Sequence, residues 1–126
     1  IFFGRSLGSA VAVELALNEK CRALILETPF TSILEMGKKL YPFLPVSLLL
    51  KTKYDSLAKI RNIKVPILVM HGDKDALVPF EHGKRLYDMA NEPKEFYTIP
   101  GAGHNDTHIV GGDEYFDVIK EFVNKL

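Results

Sequence analysis

Gly4-Arg5-Ser6-Leu7-Gly8 constrains the fold of this chain more than any other stretch of its 126 residues. The pattern is G-x-S-x-G, which sets a serine on a sharp turn between a strand and a helix, with its hydroxyl exposed. Both flanks agree with that reading. Ile1-Phe2-Phe3 reads as the end of a buried strand, and Ser9 to Leu17 reads as a helix rich in small residues. Side chains at Gly4 and Gly8 are expected to collide with the neighbouring strand or helix, and the turn itself needs a strained backbone. The pentapeptide alone recurs by chance, and its setting between an apolar run and a helix gives it weight.

The rest of the chain alternates in the same way. Strands are expected at Ile1–Phe3, Arg22–Glu27, Ile67–Met70 and Glu95–Ile99, and helices at Leu7–Asn18, Pro79 or Phe80 to Ala90, and Asp113–Lys125. Ala23-Leu24-Ile25-Leu26 and Ile67-Leu68-Val69-Met70 are apolar without alternation, which suits strands covered on both faces of a parallel sheet. The first helix is apolar nearly all round and is expected to pack deep. In the last, Phe116, Ile119 and Val123 form a stripe widened by Tyr115, Val118 and Phe122. Strands and helices joined by short links make an α/β sheet with right-handed crossovers.

The long connection, residues 28–65, breaks this rhythm. Ser32-Ile33-Leu34-Glu35 reads as a capping box opening a short helix, Tyr41-Pro42-Phe43-Leu44-Pro45 ends it, and Val46–Leu50 is apolar. The segment is either a lid over a site, with Phe43, Leu44 and Leu48 as substrate-facing candidates, or two short helices covering the sheet edge.

With 47% hydrophobic residues, the chain can bury one core. Sixteen basic residues balance sixteen acidic ones, and no basic block interleaves with aromatics, so nucleic-acid binding is not expected. Cys21 is the single cysteine; it excludes an internal disulfide, favours an intracellular setting, and reads as a small, semi-buried hydrophobe. No apolar run reaches the ~20 residues of a membrane span. The chain opens inside a strand, three residues before the pentapeptide. We therefore expect residues 1–126 to be the C-terminal part of a single domain, with any membrane association residing upstream.

A serine hydroxyl becomes a nucleophile when a base takes its proton, and the base needs an acid to orient it. Candidates for both follow Ser6, each just beyond a strand end, where parallel sheets gather their ligand sites. His71-Gly72-Asp73-Lys74-Asp75-Ala76-Leu77-Val78-Pro79 supplies the acid. Asp75 is favoured, because it sits deeper in the loop, whereas Asp73 is expected to bond its own turn. Glu27, closing the second strand, is a third candidate, expected instead to bond local backbone donors. Gly101-Ala102-Gly103-His104-Asn105-Asp106 supplies the base, His104, on a loop that glycines allow to be tight. His71 is expected to tie down its loop, and His82 to lie on a helix surface. His104 and His108 are four apart, but without further clustered ligands no metal is expected, nor any other cofactor.

Together, the G-R-S-L-G, H-G-x-x-D-x-x-V-P and G-x-G-H-N-D segments resemble the C-terminal half of an α/β-hydrolase. They are most similar to small serine hydrolases of that superfamily, a group that includes esterases and protein depalmitoylases. The resemblance implies Ser6 as nucleophile, Asp75 as orienting acid, His104 as general base and the backbone N–H of Leu7 as one oxyanion donor. It implies cleavage of carboxylic esters or thioesters of small or acylated substrates through an acyl-serine. The same family draws its second oxyanion donor from a loop after an early strand, and this chain carries no counterpart. This chain alone is accordingly expected to be weakly active or inactive, with one face of the first strand and first helix bare. A serine peptidase on the same fold and a non-catalytic binding module are the alternative readings.

Overall fold

In the computed structural model, residues 1–40, 42–43 and 55–126 are described. Four parallel strands form one sheet in the order β1-β2-β3-β4: β1 (Phe2–Arg5), β2 (Leu24–Glu27), β3 (Ile67–Gly72) and β4 (Lys94–Ile99). The helices are α1 (Leu7–Asn18), α2 (Ile33–Leu40), α3 (Ser56–Ile60), α4 (Phe80–Met89) and α5 (Thr107–Asn124).

The unbroken apolar runs are explained by two cores, one on each face of the sheet. Leu24 and Leu26 of β2 and Ile67 and Val69 of β3 pack with Ala12 and Val13 of α1, Ile60 of α3 and Leu86 of α4. The alternate residues, Ile25, Leu68 and Met70, meet Tyr115 and Phe122 of α5 on the other face. Every residue of β2 and β3 is buried. Each fully buried Leu or Ile contributes about 1.5–3 kcal/mol relative to exposure, which favours this layering over any register that turns one face to water.

Expectations about three helices hold in part, and the bare face expected of the first is present. In α1, Ser9, Ala10, Ala12 and Val13 are buried, but Leu7, Val11 and Leu15 are 57%, 44% and 41% exposed. Among the described residues β1 pairs with β2 alone, and Ile1 and Phe3 are exposed beside that bare helix face. The last helix is preceded by a short helical stretch from Thr107 and broken from it at Gly112, whose φ of 53° and ψ of −140° only glycine adopts easily, so the part beyond the break begins at Asp113 as expected. Its buried stripe is Tyr115, Val118, Ile119 and Phe122, whereas Phe116 and Val123 are exposed. The stripe is rotated because the Tyr115 hydroxyl has a buried partner in Glu27. At α2, Ser32 Oγ accepts the Glu35 amide at 3.0 Å, so one half of the capping box forms. The Glu35 carboxylate turns away to Thr31 and Arg85, leaving the reciprocal half unmade.

Within the long connection, α3 is N-capped by Asp55, which accepts the Ala58 amide at 3.0 Å. Ile60 and Ile63 enter the core, so this portion covers the sheet. Phe43 is exposed, while Leu44 and Leu48 lie outside the described residues.

Candidate active site

Parallel pairing brings the C-terminal ends of all four strands to one edge, and each candidate residue leaves the sheet there. Ser6 follows β1 directly and precedes α1, with φ 51° and ψ −118°. That conformation costs a non-glycine residue about 1–3 kcal/mol and aims the hydroxyl out of the turn. Gly4 is what permits the turn: a Cβ there would stand 2.4 Å from the Gly8 carbonyl oxygen and 2.7 Å from Ala12 Cβ. Gly8 is different from expectation, since a Cβ on it meets nothing within 4 Å among the described residues. Ser9 locks the turn from below, its hydroxyl donating to the carbonyls of Gly4 and Glu27.

Asp75 leaves β3 in a loop whose amides fold around its carboxylate. Leu77 and Val78 donate to Oδ1 at 2.9 and 2.8 Å. Oδ2 faces His104 Nδ1 at 2.8 Å and His71 Nε2 at 3.4 Å. Burial would push the Asp75 carboxyl up, but hydrogen bonds from His71, His104 and the Val78 amide outweigh it and hold it down at about 2. His104 Nε2 lies 2.9 Å from Ser6 Oγ. An ionised Asp75 accepting from Nδ1–H leaves Nε2 free to accept the serine proton. Three residues separated by up to 98 positions thus form one hydrogen-bonded line.

The supports of this line differ in part from sequence expectation. His71 is fully buried and, as expected, ties its loop, through a 2.9 Å contact of Nε2 with the Val78 carbonyl. Asp73 bonds outside its own turn, accepting the Gly101 amide at 2.7 Å. With the Lys74 amide on the Ala102 carbonyl, this clamps the acid loop to the histidine loop. Of the loop glycines, Gly101 takes the left-handed conformation, φ 77°. His82 is buried rather than on the surface, because its Nδ1 accepts the Thr31 amide at 3.2 Å and so anchors the start of the long connection to α4. His108 is exposed on α5, and no group of three metal-ligating side chains occurs among the described residues. Cys21 is half-buried.

Glu27 departs furthest from expectation. Its carboxylate is buried, and its partners are distant side chains instead of local amides: Arg5 Nε at 3.3 Å, the Thr107 hydroxyl, and the Tyr115 hydroxyl at 3.0 Å. Burial and the adjacent Glu27 carboxylate push the Tyr115 phenol well up, so it remains a donor. Nothing in sequence spacing links positions 27, 107 and 115.

Acid should weaken this fold in two windows. Burial holds the His82 imidazole below its ordinary 6.5, so the unfolded chain binds the proton more readily and stability falls as pH drops below that value. Asp75 favours folding above 3.8, its ordinary value, and that contribution is lost as pH falls toward about 2. Its loss amounts to roughly 2 kcal/mol. Urea midpoints measured across both windows check this, and His82→Asn should remove the upper step alone. A midpoint that stays level from neutral pH down to about 2 would contradict both assignments.

The same architecture occurs in known proteins. A family model described as "Serine aminopeptidase, S33" matches residues 46–108. The chain belongs to the α/β-hydrolase superfamily. This α/β-hydrolase chain is 42% identical, over 98% of its length, to an uncharacterized Mycobacterium tuberculosis protein, covering 44% of that protein. It is 33% identical over 99% of its length to human alpha/beta hydrolase domain-containing protein 17B, covering 41% of it. It therefore spans less than half the length of the curated relatives it matches. Among solved structures, the Pyrococcus furiosus esterase Pf2001 superposes with a TM-score of 0.76 at 23% identity, over 98% of this chain and 52% of that one. A Paleococcus ferrophilus monoacylglycerol lipase gives a TM-score of 0.69 at 17% identity, over 97% of this chain and 67% of that one.

Proposed function

We propose that this chain carries the nucleophile, acid and base of a serine hydrolase that cleaves carboxylic esters or thioesters. The observation that supports this most is the line from Ser6 Oγ through His104 to Asp75, at 2.9 and 2.8 Å. In this reading His104 Nε2 takes the Ser6 proton as Oγ attacks the acyl carbon. It then delivers that proton to the departing alkoxide or thiolate, leaving an acyl-serine. Water attacks the acyl-serine in the second half: His104 takes one of its protons and returns it to Ser6 Oγ as the acyl C–O bond breaks, releasing the carboxylic acid and restoring the serine hydroxyl. Asp75 stays ionised throughout, holding the tautomer and stabilising the imidazolium. Leu7 is the first residue of α1, where an amide has no carbonyl one turn back within the helix. It is the proposed donor to the oxyanion, beside the positive end of the helix dipole.

Ester cleavage is favoured over peptide cleavage by the esterase and lipase folds this chain superposes on, although the matching family model is named for an aminopeptidase. The test uses the protein at its natural full length. A fluorophosphonate should label Ser6, and p-nitrophenyl esters or acyl thioesters should be hydrolysed faster than aminoacyl p-nitroanilides. Preferential anilide cleavage would establish the peptidase reading, and an unlabelled Ser6 would establish a non-catalytic module.

A further inference from the structure

The side chains of Arg5 and Glu27 take no part in the proton relay, yet they connect the serine turn to the histidine loop. Arg5 and Glu27 are register partners on β1 and β2, which puts both side chains at the same height of the sheet edge. Arg5 Nε bonds Glu27 Oε1 at 3.3 Å, while Nη2 donates to the His104 carbonyl at 2.6 Å and lies 3.5 Å from Asn105 Oδ1. Glu27 is itself held by the hydroxyls of Thr107 and Tyr115, and Thr107 opens α5 three residues beyond His104. The His104 loop is therefore gripped on both sides, at its own carbonyl by Arg5 and at Thr107 by Glu27. Asp106 stiffens the span between, accepting the Gly103 amide at 2.7 Å.

This arrangement removes Glu27 from contention as an alternative orienting acid. Its two oxygens are taken by Arg5, Thr107 and Tyr115, whereas His104 Nδ1 faces Asp75. A guanidinium suits the junction because its fork can serve a carboxylate and a carbonyl at once, which an ammonium does less well. The Glu27 side chain is 3% exposed and that of Arg5 38%, so the carboxylate is the buried anchor and Arg5 the bridge reaching out from it.

We propose that Arg5 and Glu27 are positioning residues, a strut that ties the serine turn to the histidine loop and fixes His104 on Ser6. The proposal rests on the serine-hydrolase reading for its kinetic consequence but not for its structural one. In the full-length protein, Arg5→Met and Glu27→Gln should each lower kcat on p-nitrophenyl butyrate by about 10²-fold, the effect of misplacing a reacting group by about 1 Å. KM should stay where it was, because substrate binding is untouched. In proton NMR, the downfield Nδ1–H of His104 shared with Asp75 should broaden or vanish in both variants while circular dichroism remains that of a folded protein. Thr107→Val removes one hydroxyl and no charge; it should weaken the same resonance if Glu27→Gln fails to fold. An unchanged kcat, a loss expressed in KM, or a resonance as sharp as in the unmodified protein would overturn the strut. If fluorophosphonate leaves Ser6 unlabelled, the serine-hydrolase reading fails, and the His104 resonance in the variants still decides the strut.

Discussion

Ser6→Ala should abolish fluorophosphonate labelling and lower ester turnover by about 10⁴–10⁶, since the relay loses its nucleophile outright. The same position offers a second measurement. Ser6 holds φ 51°, so the alanine variant keeps the backbone strain while a glycine relieves it. Ser6→Gly should be equally inactive yet more stable than Ser6→Ala by about 1 kcal/mol. Urea denaturation of the two inactive variants reads this directly. Equal stabilities would mean the turn is not strained, and turnover close to the parent's in either variant would remove Ser6 from the mechanism. Gaining stability by deleting the nucleophile is the expected signature of strain stored for function.

Gly72→Ala should damage stability and chemistry together. A Cβ at Gly72 would stand 2.3 Å from the Ala102 carbonyl oxygen and 2.9 Å from that of Gly103, both rigid backbone atoms of the histidine loop. The strand end and that loop would have to part. Overpacking of this kind typically costs about 1–3 kcal/mol. It would also stretch the 2.8 Å contact between Asp75 and His104, and a shift of about 1 Å at a reacting group lowers kcat by roughly 10²-fold. Thermal denaturation and ester turnover on one preparation check both. Gly103→Ala is the informative partner, because its Cβ would come no closer than 3.4 Å, to the Asp106 carboxylate. A Gly72→Ala protein as stable and active as its parent would show that the two loops are not in tight contact.

These two glycine effects also mark where sequence reading stops. Gly4 could be assigned to the turn from its place in the pentapeptide, and the structure gives it the collision expected of it. Gly8 occupies an equivalent place in the pattern, yet its Cβ would meet open space among the described residues. Gly72 belongs to the H-G-x-x-D segment, but nothing there announces its crowding, which comes from a loop thirty residues away. His82 illustrates the same limit. A histidine on an amphipathic helix looks like a surface residue until the Thr31 amide, from the connection after β2, bonds it.

What the sequence determined by itself was local and periodic. The pentapeptide between an apolar run and a helix set the turn. The unalternating runs at Leu24–Leu26 and Ile67–Met70 set a sheet covered on both faces, because burial is then favourable for every side chain. The order of Ser6, Asp75 and His104 at successive strand ends set the candidate residues. Only the tertiary structure decided how they are held. Arg5, Glu27, Thr107 and Tyr115 meet through contacts spanning as many as 88 positions, by side-chain directions fixed by strand register and helix phase. Periodicity can announce a buried face, but a buried carboxylate's partners are chosen by the three-dimensional packing that surrounds it.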